Sequence, residues 1–266
     1  MTQRQKRIAI LGLGAVGSRV LASLQNKLAP DAIYAVFDRN TPADSPLELS
    51  YFDNVDALLR WKPDLAVECA GHSVVFTVVP QLLRSGIDVL VVSIGALADA
   101  DLRSHIVLAA QAGQCSLLTV PGAIGGLDAL EAARSAGLSS VVYSGRKPPM
   151  AWKDTLAEDR FNLNDLREPT VIFEGSAGES ASLYPKNANV TAAVALAGVG
   201  FENTRVRLIA DPHSSLNVHE LEANGAFGRF NIRLENKPLP DNVKTSWLAA
   251  LSIEAALRKY LFPSIL

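Results

Sequence analysis

Residues 7–38 constrain the fold more than any other stretch of the chain. An apolar run at 7–11 meets Gly12-Leu13-Gly14-Ala15-Val16-Gly17, helical apolar spacing follows over 16–28, and a second apolar run at 33–37 ends at Asp38. Strand, Gly-x-Gly-x-x-Gly turn, helix and an acidic residue 21 positions after the last glycine together spell a dinucleotide-binding βαβ unit. The glycines differ in what they permit. Gly12 makes the tight turn, Gly14 allows close approach of a pyrophosphate, and Gly17 allows the helix to pack on the sheet. Ala15 and Val16 then open the helix, whose first N–H groups and partial positive charge suit phosphate. Asp38 is placed to accept from a ribose 2′-hydroxyl and to repel a 2′-phosphate, while Arg39 could offset that repulsion. NAD is the expected cofactor, with NADP as the alternative.

The same rhythm continues to residue 120. Apolar runs at 65–69, 88–92 and 116–120 alternate with helix-like segments at 55–61, 74–85 and 102–112. Runs that are apolar throughout fit strands buried on both faces of a parallel sheet, and the alternation implies right-handed βαβ crossovers. This half reads as a Rossmann-type, doubly wound α/β domain. Ligands of such sheets lie beyond the carboxyl ends of the strands, which adds Ala70 and Gly71 to the cofactor candidates. His72 follows them, either near the nicotinamide or as an ordinary solvated loop histidine.

After about residue 138 the pattern changes. Segments 139–145, 170–174, 205–210, 217–222 and 227–234 read as strands, several with the period of two of a sheet covered on one face. Asn224-Gly225 is a hairpin signal between two of them, and 187–196 is the main helix candidate. Residues 244–260 return to helical spacing. The expectation is a second, α+β domain with a mainly antiparallel sheet over 122–242, and a first domain of 1–121 completed by 243–266.

Composition narrows the class of function. With 25 Lys and Arg against 27 Asp and Glu, the formal charge of −2 offers no global field for nucleic acid. The longest uncharged apolar stretch, 188–201, is too short and too polar for a membrane span. Two cysteines, Cys69 and Cys115, are too few for a disulfide framework or a cysteine-based metal site. No metal is expected, and a cytoplasmic protein acting on a small molecule is.

Two clusters in the second half could carry chemistry. Tyr184-Pro185-Lys186-Asn187-Ala188-Asn189-Val190 puts a cation and two amides at a helix start, suited to a carboxylate. Alternatively Asn187 caps that helix and Lys186 is solvated. Asp211-Pro212 and Asn217-Val218-His219-Glu220 place a strand-borne histidine among carboxylates, with an ordinary pKa near neutrality where acid–base work is efficient.

At these residues the sequence resembles the L-aspartate dehydrogenase family. The resemblance runs through 12–17, Pro121 to Gly126, Gly145-Arg146-Lys147-Pro148-Pro149, Tyr184 to Val190, Asp211-Pro212, 217–220, Gly225 to Gly228 and Lys244-Thr245-Ser246, with Val243 where the family usually has proline. It implies NAD(P)-dependent interconversion of L-aspartate with oxaloacetate and ammonia through iminoaspartate, in some members feeding NAD biosynthesis. It implies His219 at the active site, Ala123 and Asn189 against the cofactor, and a homodimer built through the second domain. Two substrate carboxylates need cations, for which Lys186, Arg146 and Lys147 are candidates, and Asn187 either orients the substrate or caps its helix. A homoserine-dehydrogenase-like or other two-domain oxidoreductase is the nearest rival, and a non-catalytic NAD-binding sensor the rival from another class. A sensor would need the glycine loop but not Lys186, Asn189 and His219.

Overall fold

The first apolar runs become strands because they are buried on both faces and flanked by helices. β1 (Arg7–Leu11), β2 (Ile33–Phe37), β3 (Ser50–Phe52), β4 (Leu65–Glu68), β5 (Asp88–Val91) and β6 (Leu117–Thr119) are all parallel, in the order β3-β2-β1-β4-β5-β6. That is the doubly wound order, with the switch point between β1 and β4. The computed structural model describes residues 4–39, 49–239 and 242–263. It divides into two units, residues 1–120 with 253–266, and residues 121–252.

In the first unit Ile8, Ile10, Val36, Val67 and Leu90 pack against Val20, Leu21, Leu24 and Leu28, with Ile253 and Leu257 in the same core. Each such side chain contributes about 1.5–3 kcal/mol on full burial. The helix Ala15–Ser23 ends in a wider π-helical turn, Leu24–Leu28. The helix expected over 74–85 is two helices, His72–Thr77 and Val79–Arg84. Pro80 explains the break, because it has no N–H and its ring crowds the preceding turn.

The second unit is built on a five-stranded sheet, β7 (Leu138–Lys147), β8 (Thr170–Ser176), β9 (Thr204–Ala210), β10 (Asn217–Gly225) and β11 (Gly228–Asn236), in the order β11-β10-β7-β9-β8. All neighbours are antiparallel except β7 with β9. One face buries Val141, Tyr143, Val206, Leu208, Leu221 and Ala223. The helix Ala188–Ala197 is almost wholly buried, its small residues allowing close packing. Two more helices, Leu127–Arg134 and Ala177–Leu183, gave no clear signal in the sequence.

Three local expectations are corrected. β10 and β11 run through Asn224 and Gly225, which pair with Arg229 and Gly228, so the turn is Ala226-Phe227. Glycines flank this turn instead of forming it: Gly228 sits at φ +115°, and a Cβ on Gly225 would lie 2.2 Å from the Gly137 carbonyl oxygen. β7 runs two residues further than expected, through Arg146 and Lys147. The last helix begins at Trp247, because Asn242–Ser246 is first used as a strand, β13, against the short β12 (Pro238–Leu239). The second boundary between units consequently falls inside this helix, at 252/253, and not at 242/243.

Candidate active site

At the carboxyl end of β1 the backbone itself is the working surface. Gly12 has φ +90°, and a Cβ there would lie 2.6 Å from the Cα of Ala70. A Cβ on Gly17 would lie 1.9 Å from the Gly12 carbonyl oxygen. Neither position tolerates a side chain. A Cβ on Gly14, by contrast, would meet nothing within 4 Å, so the loop is open where a pyrophosphate must approach. Gly14 also starts the helix Ala15–Ser23 with no side-chain cap competing for its first N–H groups. Asp38 Oδ2 accepts from the Leu13 N–H at 2.8 Å, so the acidic residue also braces the glycine loop. Arg39 is exposed beside it. These residues fit a dinucleotide.

Glu68, which sequence reading missed, is fully buried at the end of β4. Its Oε1 accepts from the N–H groups of Ala70 (2.8 Å) and Gly71 (2.7 Å) and from Ser93 Oγ, and its Oε2 from the Ser93 N–H. One carboxylate thus ties together two of the loops beyond the strands, fixing Ala70 and Gly71. Its signal was an acidic residue inside an otherwise apolar strand. His72 opens the next helix half-buried, and burial lowers its pKa against the opposing pull of Glu68.

The second unit holds a site of a different kind. His219 on β10 is 3% exposed. It faces Gly145 directly across β7, and Gly145 in turn faces Leu208 on β9. The missing side chain at Gly145 lets Tyr143, two residues earlier on the same face, reach over: a Cβ there would lie 2.8 Å from the Tyr143 hydroxyl. Tyr143 Oη lies 2.8 Å from His219 Nδ1, with the two rings nearly parallel. A phenol can donate to Nδ1 or accept from Nδ1–H, so Tyr143 serves either tautomer. Burial raises the Tyr143 pKa and keeps the hydroxyl protonated. His219 Nε2 is 3.4 Å from Ser246 Oγ, which accepts from Asn217 Nδ2 at 3.2 Å. Thr245 and Ser246 line the site because they belong to β13 and not to the helix that follows.

Lys147, at the end of β7, is 8% exposed. Its Nζ donates to Asn187 Oδ1 at 2.7 Å and lies 5.5 Å from the centre of the fully buried Trp152 ring. Burial pushes its pKa down to about 8. His219 is pushed down to about 3, first by burial and then by the Lys147 charge, so its imidazole is neutral throughout the ordinary pH range. The sequence placed carboxylates beside it. Strand alternation instead turns Glu220 to the other face, where it pairs with Arg233.

His219, Tyr143, Lys147, Asn187, Asn189 and Ala123 all line one cavity of about 110 Å³, room for about four waters or one small substrate. Lys186 is at its exposed rim, its Nζ donating to the Asp154 carbonyl at 3.3 Å. Among the described residues, none that lines the cavity is acidic. Arg146 is absent from this group. The alternation that brings Tyr143, Gly145 and Lys147 to the cavity sends Arg146 to the opposite face, where it binds Asp211 at 2.8 Å. Asn187 accepts from Lys147 and makes no side-chain cap to the helix it precedes. No group of three or more potential metal ligands occurs among the described residues.

The profile described as aspartate dehydrogenase, C-terminal, matches residues 128–260, and that described as homoserine dehydrogenase, NAD binding domain, matches 12–119. The chain is 45% identical over 257 residues to an L-aspartate dehydrogenase of Ralstonia pickettii, covering 94% of this chain and 96% of that one. It is 48% identical over 255 residues to the enzyme of that name from Pseudomonas aeruginosa, with the same coverage. The chain belongs to the L-aspartate dehydrogenase family. The crystal structure of aspartate dehydrogenase from Thermotoga maritima superposes with a TM-score of 0.78 at 26% identity, covering 97% of each chain. Family membership makes this an NAD(P)-dependent oxidoreductase. The homoserine dehydrogenase profile matches within the cofactor domain.

Proposed function

We propose that this protein is an L-aspartate dehydrogenase that interconverts L-aspartate with oxaloacetate and ammonia through iminoaspartate, with His219 as the acid–base. The observation that carries the reading is the cavity itself: a neutral imidazole, held on Nδ1 by Tyr143 and with Nε2 beside Ser246, lines a space with Lys147 and Lys186 and, among the described residues, with no acid. A doubly anionic substrate suits that lining. When bound, the nicotinamide supplies the two-electron acceptor for the hydride leaving Cα.

The chain's own residues then handle binding and protons. Nε2 takes a proton from the α-ammonium group, leaving the nitrogen lone pair to form the imine as hydride departs. The imidazolium that results is stabilised by Nδ1–H donating to the Tyr143 oxygen. Once that proton has passed to solvent, the neutral imidazole takes a proton from the water that adds to the iminium carbon and returns it to the nitrogen, so that the C–N bond breaks and the hydroxyl proton leaves with ammonia as ammonium. A base with a pKa of about 3 is weak; burial is the larger cause of that value and the Lys147 charge the smaller, and only the second changes when an anion binds. A substrate carboxylate cancels the Lys147 charge and raises the basicity of His219 as the substrate arrives.

Gly12, Gly14, Ala15, Val16, Gly17, Ala70 and Gly71 hold the dinucleotide, with Asp38 and Arg39 setting NAD against NADP and Ala123 and Asn189 contacting its nicotinamide end. Lys186 and Asn187 orient the substrate. The same reading expects a homodimer and a supply of iminoaspartate to NAD biosynthesis. The cysteines Cys69 and Cys115 are both unpaired thiols, as suits a reducing cytoplasm.

The test is NADH consumption with oxaloacetate and ammonium, with oxaloacetate alone as control, in wild type and His219→Ala. Ammonium-dependent turnover that collapses in the variant while NADH still binds supports the reading. Turnover without ammonium, or full activity in the variant, refutes it.

A further inference from the structure

Lys147 is a buried cation without a counter-ion among the described residues. Among the described residues its ammonium meets one neutral acceptor, Asn187 Oδ1, and the face of Trp152, and it forms no ion pair. An ammonium group removed from water costs several kcal/mol unless it is paired, and unpaired buried charges are retained where they have work to do. An ammonium has three protons to donate and one goes to Asn187, while the cavity that Lys147 lines holds His219 and, among the described residues, no carboxylate. Arg146, the neighbouring cation, is spent on Asp211 on the far face of the sheet. Lys186 is exposed and interacts through a backbone carbonyl, so its charge is screened by water.

We infer that Lys147, fixed by Asn187 and Trp152, is the residue that binds a carboxylate of the substrate and so sets the preference for dicarboxylic acids. The inference rests on the aspartate dehydrogenase reading for the identity of the substrate, but its core is independent of turnover: the missing counter-ion of Lys147 is a carboxylate that arrives with the ligand. Asn187 uses its carbonyl oxygen to aim the ammonium. Trp152, itself anchored by Nε1 donating to the Ile209 carbonyl at 3.2 Å, provides the wall that keeps water from solvating Nζ. Without the ligand the arrangement is costly, and with it the charge is satisfied.

Lys147→Met removes the charge and nearly preserves the volume. The free variant is expected to be at least as stable to heat as wild type, because an unpaired buried charge has been replaced by an apolar chain. Succinate, a dicarboxylate that cannot react, is expected to raise the melting temperature of wild type and leave that of Lys147→Met unchanged, with calorimetry showing a matching loss of binding. In steady state, KM for oxaloacetate is expected to rise about 10- to 100-fold, the range for losing a hydrogen bond to a charged group. The kcat should fall much less, and Lys147→Gln should lie between the two. Succinate binding equally well to both proteins overturns the inference, as does an unchanged KM with kcat lost. A wild type that binds succinate through Lys147 but does not turn over oxaloacetate with ammonium overturns the activity reading and leaves this one standing.

Discussion

In the glycine loop the working parts are backbone atoms, held by Gly12 at φ +90° and by Gly17 pressed against the Gly12 carbonyl. Around His219 they are side chains, and what they do is decided by burial: an imidazole kept neutral and a lysine brought down to about 8. The first arrangement is made from six consecutive residues between β1 and the start of the helix Ala15–Ser23. The second gathers residues from β7, β10, β13 and the start of the helix Ala188–Ala197, so it exists only once the sheet has its register. A phosphate site can be assembled locally from N–H groups and a helix terminus. A site that must discriminate between acids and move protons needs a controlled dielectric, which only tertiary burial provides.

The comparison is broken most directly at His219. His219→Ala is expected to lower kcat by about a hundred- to ten-thousand-fold, the range for loss of a general acid–base. NADH affinity, measured by fluorescence titration, should stay unchanged. A parallel loss of NADH binding would mean that the two sites are not separable as argued. Gly17→Ala is the converse case. Its methyl has no space, so the loop must move at a cost of about 1–3 kcal/mol or more. NADH binding and thermal stability should both fall, and calorimetry with the cofactor reads both.

Tyr143→Phe sharpens the side-chain half of the contrast. Nδ1 loses its partner, so kcat is expected to fall roughly tenfold, the order of one hydrogen bond. The ¹⁵N shift of His219 Nδ1 should move as its hydrogen bond to Tyr143 is lost, which NMR of the labelled variant reads directly. Gly14→Ala sharpens the other half: stability should stay within about 0.5 kcal/mol, because the new Cβ meets nothing within 4 Å. NADH affinity should drop a few-fold, roughly, from crowding of the pyrophosphate.

A further effect concerns pH. His219 has a folded pKa of about 3 against an ordinary 6.5, so between those values the unfolded chain binds the extra proton. Its contribution to stability is complete above pH 6.5 and is lost progressively as the pH falls toward 3. Denaturant titrations of His219→Gln should therefore show a shallower loss of stability across that window than wild type. An identical slope would show that the imidazole is hydrated, contrary to its burial.

Much of the fold could be read along the chain. The parallel sheet declared itself because strands buried on both faces are apolar throughout, and the glycine loop because only glycine fits where φ is positive or a carbonyl presses in. The second unit was legible in class but not in detail. Arg146 and Lys147 are adjacent cations with equal claims in sequence, and only the extension of β7 by two residues, with its alternation, separates them. Ser246 looked helical because Trp247, Leu248 and Leu251 carry the period of the helix that begins one residue later. Glu68 was hidden because a buried carboxylate makes sense only once the two loops it ties are seen together. The carboxylates near His219 were a misreading of proximity along a strand, where neighbours face opposite ways.

The central claim is that the chain adds ammonia and hydride to the same carbon of oxaloacetate. Incubation with oxaloacetate, ¹⁵N-labelled ammonium and NADH deuterated at the transferring position, followed by mass spectrometry, tests it in one step. The account predicts L-aspartate carrying both labels, with deuterium at Cα, and almost none from His219→Ala. Deuterated malate without nitrogen, or aspartate lacking deuterium, would contradict it.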